Sequence, residues 1–110
     1  MMPNDRNTRH LLTPRPYPAR LSLVAPMYNE EAMVDSLREA VERFAAGVRG
    51  HLEIVLVNDG SSDGTLDKIA TWAHQDSRVK VVHLSRNFGH HLAATAGLDY
   101  ASGDAVGVLR

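Results

Sequence analysis

The sequence predicts an α/β protein with one parallel sheet of about four strands and three helices. Four short apolar segments begin near positions 21, 52, 79 and 105, and longer amphipathic segments separate them. Short aliphatic runs between turn-forming residues are typical of strands that are buried on both faces of a parallel sheet. Because strand and helix patterns alternate, we expect successive βα units joined by right-handed crossovers.

Length and composition restrict the class of protein further. The chain has 110 residues, which is enough for one small domain and too few for a two-domain enzyme. It has no cysteine, which excludes a disulfide framework and a cysteine zinc site. A net charge of −1 argues against a nucleic-acid binder. The longest apolar runs have about five residues, far below the roughly 18–20 of a membrane span, so no transmembrane segment is predicted.

The individual elements follow from the apolar pattern. Strands are expected at 21–25, 54–57, 79–84 and 105–109. The first helix has an apolar stripe between positions 33 and 44, and Gly47 and Gly50 are expected to end it. The second helix begins after Ser62 or Asp63, either of which could cap it. The third covers residues 90–101, where small side chains permit close packing on the sheet.

Residues 1–20 are predicted to form a flexible tail, and residues 21–110 the folded part. The tail has prolines at positions 3, 14, 16 and 18 and arginines at 6, 9, 15 and 20, without the apolar core of a signal peptide. The folded part has eight basic and twelve acidic residues, so positive charge is concentrated in the tail. Such a tail could approach an anionic membrane surface, and a solvated leader is the alternative.

Polar segments follow three of the predicted strands, at 26–31, 58–65 and 85–91. The carboxyl ends of parallel strands lie at one edge of a sheet, where ligands of open α/β folds bind. Three polar, glycine-containing segments at that edge predict a pocket for a polar, phosphate-bearing ligand. The chain has neither G-x-G-x-x-G after the first strand nor G-x-x-x-x-G-K-[ST], so dinucleotide and P-loop sites are not supported.

The same three segments resemble the motifs of family 2 glycosyltransferases. The matching residues are Pro26-x-Tyr28-Asn29-Glu30-Glu31, Val57-Asn58-Asp59-Gly60-Ser61-x-Asp63-Gly64-Thr65 and Arg86-Asn87-Phe88-Gly89. The chain is most similar to the polyprenyl-phosphate branch, which resembles dolichyl-phosphate mannose synthase. The resemblance covers about residues 21–108 and implies the Rossmann-like nucleotide-binding half of a GT-A domain, truncated after the fourth strand.

The resemblance also implies a binding site for the nucleoside of a UDP- or GDP-sugar. The residues assigned to it are Pro26, Tyr28, Asn29, Glu30, Val57, Asp59, Gly60, Ser61 and Asn87. An aromatic ring can stack on a base, and carboxylates accept hydrogen bonds from base and ribose donors. Gly60 would allow a tight or left-handed turn beside the ligand. The family commonly has Asp at position 58, and Asn58 here leaves Asp59 as the recognising carboxylate.

Each of these motifs also has a structural explanation that uses no ligand. Residues 58–61 form a good tight turn before a helix, and Tyr28 could pack over the strand end. Glu30 and Glu31 could complement the dipole of the first helix. The adjacent pair His90 and His91 lacks the spacing of metal ligands on one helix face, so no metal site is assigned to it. Trp72 is interpreted as a packing residue.

The family's Asp-x-Asp metal motif would begin at or near Arg110, so neither metal carboxylate is expected in this chain. We assign no catalytic and no metal-binding residue. The resemblance implies Mg²⁺ or Mn²⁺ and a polyprenyl phosphate acceptor in the full-length form, whereas this chain alone is expected to hold no metal and to show no appreciable turnover. The implied location is cytoplasmic, with peripheral attachment to the inner membrane face as an option.

Two other functions are weighed against the nucleotide-sugar-binding region of a glycosyltransferase. One is a non-catalytic truncated product that is inert or pairs through an exposed sheet edge, because Val106, Val108 and Leu109 would be uncovered. The other is a receiver-like phosphoacceptor domain. Its acceptor aspartate should end the third strand, where this chain has Leu84, Ser85 and Arg86.

Overall fold

A computed structural model describes residues 20–109 as a four-stranded sheet with helices on both faces. The strands are β1 (Arg20–Met27), β2 (His51–Asp59), β3 (Val79–Leu84) and β4 (Ala105–Val108). The helices are α1 (Val34–Ala45), α2 (Thr65–Gln75) and α3 (His90–Tyr100), and a 3-10 turn, Glu31–Met33, precedes α1. All strand pairs are parallel, in the order β3-β2-β1-β4. The predicted α/β class, with four strands and three helices, is confirmed.

Several boundaries differ slightly from the predicted ones. β1 begins at Arg20, which the sequence analysis placed in the tail, and the other tail residues lie outside the described part of the chain. α1 ends at Ala45, before Gly47, while Gly50 adopts φ 106° in the turn before β2. β4 ends at Val108, although the N–H of Leu109 still donates to the β1 carbonyl of Val24.

The start of α2 corrects the predicted cap. The N-cap position is occupied by Gly64, not by Ser62 or Asp63. Asp63 lies one residue earlier, and its Oδ1 accepts the N–H of Thr65 at 2.9 Å. The carboxylate therefore still satisfies a backbone donor of the first helical turn, but from outside the cap position.

The core has two layers, one on each face of the sheet. On one face, α1 and α2 pack on apolar side chains of β1 and β2, and the buried members of this layer include Leu23, Ile54, Leu56, Ile69 and Trp72. On the other face, α3 lies against Val24, Val55 and Val57 through Ala93. A Cβ on Gly97 would lie 2.4 Å from Val24 Cγ1, so the close packing predicted for α3 is confirmed.

Trp72 has the packing role that the sequence predicted. It is 1% exposed in the first layer, and the guanidinium of Arg38 lies 5.6 Å from its ring centroid. β4 forms one edge of the sheet, and its Val106 and Val108 are exposed as expected. Leu109 is different, because it is half-buried against the first layer. Within residues 20–109, no helix combines the length and apolar character needed to cross a membrane.

Candidate functional site

The carboxyl ends of β1, β2 and β3 lie side by side, as the strand order requires. We call the segments that follow them the β1 exit (residues 28–31), the β2 exit (60–64) and the β3 exit (85–89). The candidate residues lie in these exits and in the last positions of β1 and β2. The three polar segments therefore meet at one edge of the sheet, as the sequence predicted.

The β1 and β2 exits are joined by a reciprocal set of hydrogen bonds. The backbone N–H groups of Asn29, Glu30 and Glu31 donate to side-chain oxygens of Ser61, Thr65 and Asp63 at 2.9, 2.9 and 3.2 Å. In return, Ser62 N–H donates to Asn29 Oδ1 at 2.8 Å, and Gly64 N–H donates to Glu31 Oε1 at 2.9 Å. These bonds satisfy backbone groups that would otherwise need water or a ligand.

Asp63 is a charged member of this set. The hydroxyl of Thr65 donates to its carboxylate, and the N–H groups of Thr65 and Glu31 donate as well. Partial desolvation acts in the opposite direction, but the hydrogen bonds prevail and hold the pKa of Asp63 below its usual value. Asp63 is therefore ionised at neutral pH and acts as an acceptor within the loops.

Asp59, at the end of β2, connects β2 to the β3 exit. Its Oδ1 accepts the N–H of Phe88 at 2.8 Å and its Oδ2 the N–H of Gly89 at 3.1 Å. The residue is 2% exposed. The sequence analysis assigned this carboxylate to ligand recognition, and the structure adds a role in holding the loop that the sequence did not predict.

Asn58 is fully buried beneath the β2 exit. Its Oδ1 accepts the N–H of Ser61 at 3.3 Å, which turns Nδ2 toward His83 Nδ1 at 2.9 Å. Nδ2 is a donor, so this contact is a hydrogen bond in the His83 tautomer whose Nδ1 accepts. An amide suits this position because it both donates and accepts, and it avoids a second buried carboxylate beside Asp59.

Gly60 adopts the left-handed conformation that the sequence predicted, with φ 70°. A Cβ at this position would lie 2.2 Å from the Arg86 carbonyl carbon and 2.3 Å from the Asn87 nitrogen. The glycine is therefore required by the close approach of the β3 exit as well as by its own backbone conformation.

Tyr28 and Glu30 are two candidate residues that are exposed to solvent. Tyr28 is 46% exposed. Glu30 is also exposed, and its Oε1 accepts the N–H of Tyr28 at 3.3 Å. Both side chains are available to a ligand, in contrast to Asp59 and Asn58.

A cleft of about 460 Å³ opens beside Glu30. Pro26 and Glu30 contribute to its wall, together with Met33 and Leu37 from the segment around α1 and His90 from the start of α3. The sequence placed His90 in the polar segment after the third strand and did not include it among the candidate binding residues. Its position could have been inferred because α3 begins directly after the β3 exit, which places its first residue at the same edge.

The remaining candidates lie in different environments. Val57 is fully buried in the second core layer, so it could contact a ligand only through its backbone. Ser61 accepts the N–H of Asn29, and Asn29 itself bonds to the β2 exit. Asn87 is exposed in the β3 exit. Apart from Pro26, Val57 and Gly60, the candidates therefore divide into exposed side chains and side chains that hold the loops together.

The described residues do not form a metal centre. Between Arg20 and Leu109, no group of three or more His, Asp or Glu side chains is arranged to hold a metal ion. His90 and His91 are not part of such a group. These residues therefore do not fit a divalent cation, and we derive no chemistry that passes through one.

Comparison with known proteins identifies the family. The family model described as Glycosyl transferase family 2 matches residues 22–109. The chain is 39% identical over 88 residues to the uncharacterized glycosyltransferase YkcC of Bacillus subtilis (strain 168), covering 80% of this chain and 27% of that protein. It is 42% identical over 87 residues to the bactoprenol glucosyl transferase of Shigella phage SfV, covering 79% and 28%. The chain thus spans about a quarter of the length of these relatives.

Solved structures support the same fold. The mannosyltransferase PcManGT from Pyrobaculum calidifontis, in complex with GDP-Man and Mn²⁺, matches with a TM-score of 0.67 at 24% identity, over 92% of this chain and 31% of that one. TarS 1-349 of S. aureus in complex with UDP matches with a TM-score of 0.68 at 26% identity, over 82% and 26%. The predicted resemblance is confirmed, and the chain belongs to glycosyl transferase family 2.

Proposed function

We propose that this chain provides the nucleotide-sugar-binding region of a family 2 glycosyltransferase. The observation that carries the proposal is the presentation of Tyr28 and Glu30 from loops that are otherwise bonded to one another. Both side chains are exposed, and Glu30 lines a cleft of about 460 Å³ whose wall also includes Pro26. The preformed loops lower the entropy that a ligand must lose on binding.

Each residue has a role that follows from its chemistry. Tyr28 offers a ring on which a nucleobase stacks, and the Glu30 carboxylate accepts hydrogen bonds from N–H or ribose hydroxyl donors. Asp59, Asn29 and Ser61 act through the loops, because their polar atoms bond to neighbouring backbone. UDP and GDP are both proposed as nucleotides, and complexes of structural neighbours with UDP and with GDP-Man support that choice.

The full-length form is proposed to transfer a sugar to a polyprenyl phosphate with Mg²⁺ or Mn²⁺. The acceptor is supported by the similarity to the bactoprenol glucosyl transferase of phage SfV, and the metal by the Mn²⁺ complex of PcManGT. We also propose a cytoplasmic location with peripheral attachment to the inner membrane face as an option, because a lipid acceptor would be reached there.

Calorimetric titration with UDP, GDP and their sugars tests the nucleotide site, with Mg²⁺ present and absent. Tyr28→Ala should weaken binding about tenfold or more, since stacking of a base on an aromatic ring is worth roughly 1–3 kcal/mol. Glu30→Gln should weaken binding less. The matched controls are Tyr100→Ala and Glu39→Gln, which change exposed residues of α3 and α1 that lie outside the three exits.

Two results would contradict the proposal. One is a folded wild-type chain, as judged by circular dichroism, that binds neither nucleotide. The other is equal affinity of Tyr28→Ala and Tyr100→Ala. Asp59→Ala is less informative, because it also releases the N–H groups of Phe88 and Gly89.

A further inference from the structure

Asn29 lies between Tyr28 and Glu30, and its side chain forms hydrogen bonds on the side away from the cleft. Asn29 Oδ1 accepts the N–H of Ser62 at 2.8 Å and that of Asp63 at 3.3 Å, and the hydroxyl of Ser62 lies 3.4 Å away. The N–H of Asn29 donates to Ser61 Oγ at 2.9 Å. The side-chain acceptor and the backbone donor of this residue are thus both directed to the β2 exit.

The backbone of Asn29 restricts which residues can do this. Its φ is 49°, and between residues 20 and 109 no other non-glycine residue has a positive φ. Asparagine is among the few residues with a side chain that adopt this conformation readily. Glycine would also adopt it, but it has no side-chain acceptor for the two N–H groups.

We propose that Asn29 is a positioning residue of the nucleotide site and not a nucleotide contact. It fixes the β1 exit on the β2 exit, and this contact sets the direction of the two exposed neighbours, Tyr28 and Glu30. The sequence analysis placed Asn29 among the ligand-binding residues. The proposal rests on the nucleotide-binding function proposed above and assigns Asn29 an indirect part in it.

Hydrogen exchange of the unliganded chain tests the contact itself. Asn29→Gly retains the backbone conformation and removes the acceptor, so the amides of Ser62 and Asp63 should exchange about tenfold faster or more, while amides of β2 remain protected. Asn29→Asp retains an acceptor and a tolerance for positive φ, so both amides should stay protected. Unchanged exchange in Asn29→Gly, or lost protection in Asn29→Asp, would overturn the proposal.

A double-mutant cycle with UDP and GDP then separates positioning from direct contact. Asn29→Gly should weaken binding about tenfold in the wild-type background and far less in a Tyr28→Ala, Glu30→Gln background, because it acts through those side chains. Equal effects in the two backgrounds would show that Asn29 acts independently of them and would refute the proposal.

A control variant and the wild type distinguish failure of the proposed nucleotide binding from failure of the proposed role of Asn29. Ser77→Gly introduces a glycine into the exposed loop before β3, at the opposite edge of the sheet, and should leave the affinity unchanged. A wild-type chain that binds neither nucleotide would refute the proposed function. A wild type that binds, with Asn29→Gly binding equally well, would refute only the role of Asn29.

Discussion

At the scale of single residues, the glycine at position 60 is explained by contacts that lie far away in sequence. Gly60 and Ser61, which follow β2, predict a turn, and the φ of 70° at Gly60 agrees with that prediction. No other residue fits because a Cβ at position 60 would lie within 2.3 Å of the backbone of Arg86 and Asn87. A turn motif alone carries no information about that approach.

Gly60→Ala should therefore lower the free energy of unfolding by about 2–4 kcal/mol, through left-handed strain and displacement of the β3 exit. Gly47→Ala is the matched control. Its Cβ would lie 3.8 Å from the Phe44 carbonyl oxygen, so we expect a change of less than about 1 kcal/mol. Urea unfolding of both variants checks this, and equal stability of the two would contradict our account of Gly60.

At the scale of elements, the end of the sheet opposite the site is held by a buried carboxylate. Glu53 in β2 is 2% exposed and accepts hydrogen bonds from Ser22 Oγ at 2.7 Å and from the N–H of Ser102 at 2.9 Å. Lys80 in β3 forms an ion pair with its other oxygen. One side chain thus connects β1, β2, β3 and the turn before β4.

This arrangement predicts a pH dependence of stability. Burial raises the pKa of Glu53, but the hydrogen bonds from Lys80, Ser102 and Ser22 outweigh burial and lower the pKa to about 2. A carboxyl whose pKa falls on folding stabilises the native state above its unfolded pKa. We expect a contribution of about 3 kcal/mol that is complete above pH 4.5 and is lost as the pH falls toward 2.

Urea unfolding between pH 2 and pH 6 measures this contribution. Glu53→Gln should be less stable than the wild type at pH 6, and most of the difference should be lost near pH 2, where about half of the native Glu53 carboxyls are protonated. Glu39→Gln, an exposed change on α1, serves as the control. A difference between Glu53→Gln and the wild type that does not vary with pH would be inconsistent with the charge of Glu53 as the cause.

At the scale of the whole molecule, the sheet ends on β4, which pairs only with β1 among the described strands. Val106 and Val108 are 41% and 38% exposed on this edge. An edge strand with apolar side chains and no charge within it favours pairing with other chains. The edge-pairing alternative raised by the sequence therefore has a defined surface.

We expect the 110-residue chain to associate as its concentration rises, and Val108→Lys to reduce that association. Thr95→Lys adds the same charge on the exposed side of α3 and should have a smaller effect. Sedimentation velocity over a range of concentrations compares them. A monodisperse wild-type monomer at every concentration would rule out pairing through β4.

The sequence by itself determined the fold class, the order of the elements and the edge at which the candidate site lies. These features follow from local information, since apolar periodicity identifies strands and helices and a parallel sheet brings its strand ends together. It also predicted Tyr28 and Glu30 as candidate site residues, from their position after β1 and from the resemblance to family 2 glycosyltransferases.

Only the tertiary structure decided which polar side chains are exposed and which hold the loops. Asp59 and Asn29 occupy motif positions like Glu30, yet their oxygens bond to backbone N–H groups of neighbouring exits. A polar residue at a strand end has the same local signature in both cases. Its partner depends on which exits lie side by side, and that is set by the strand order β3-β2-β1-β4, a long-range property of the packed sheet.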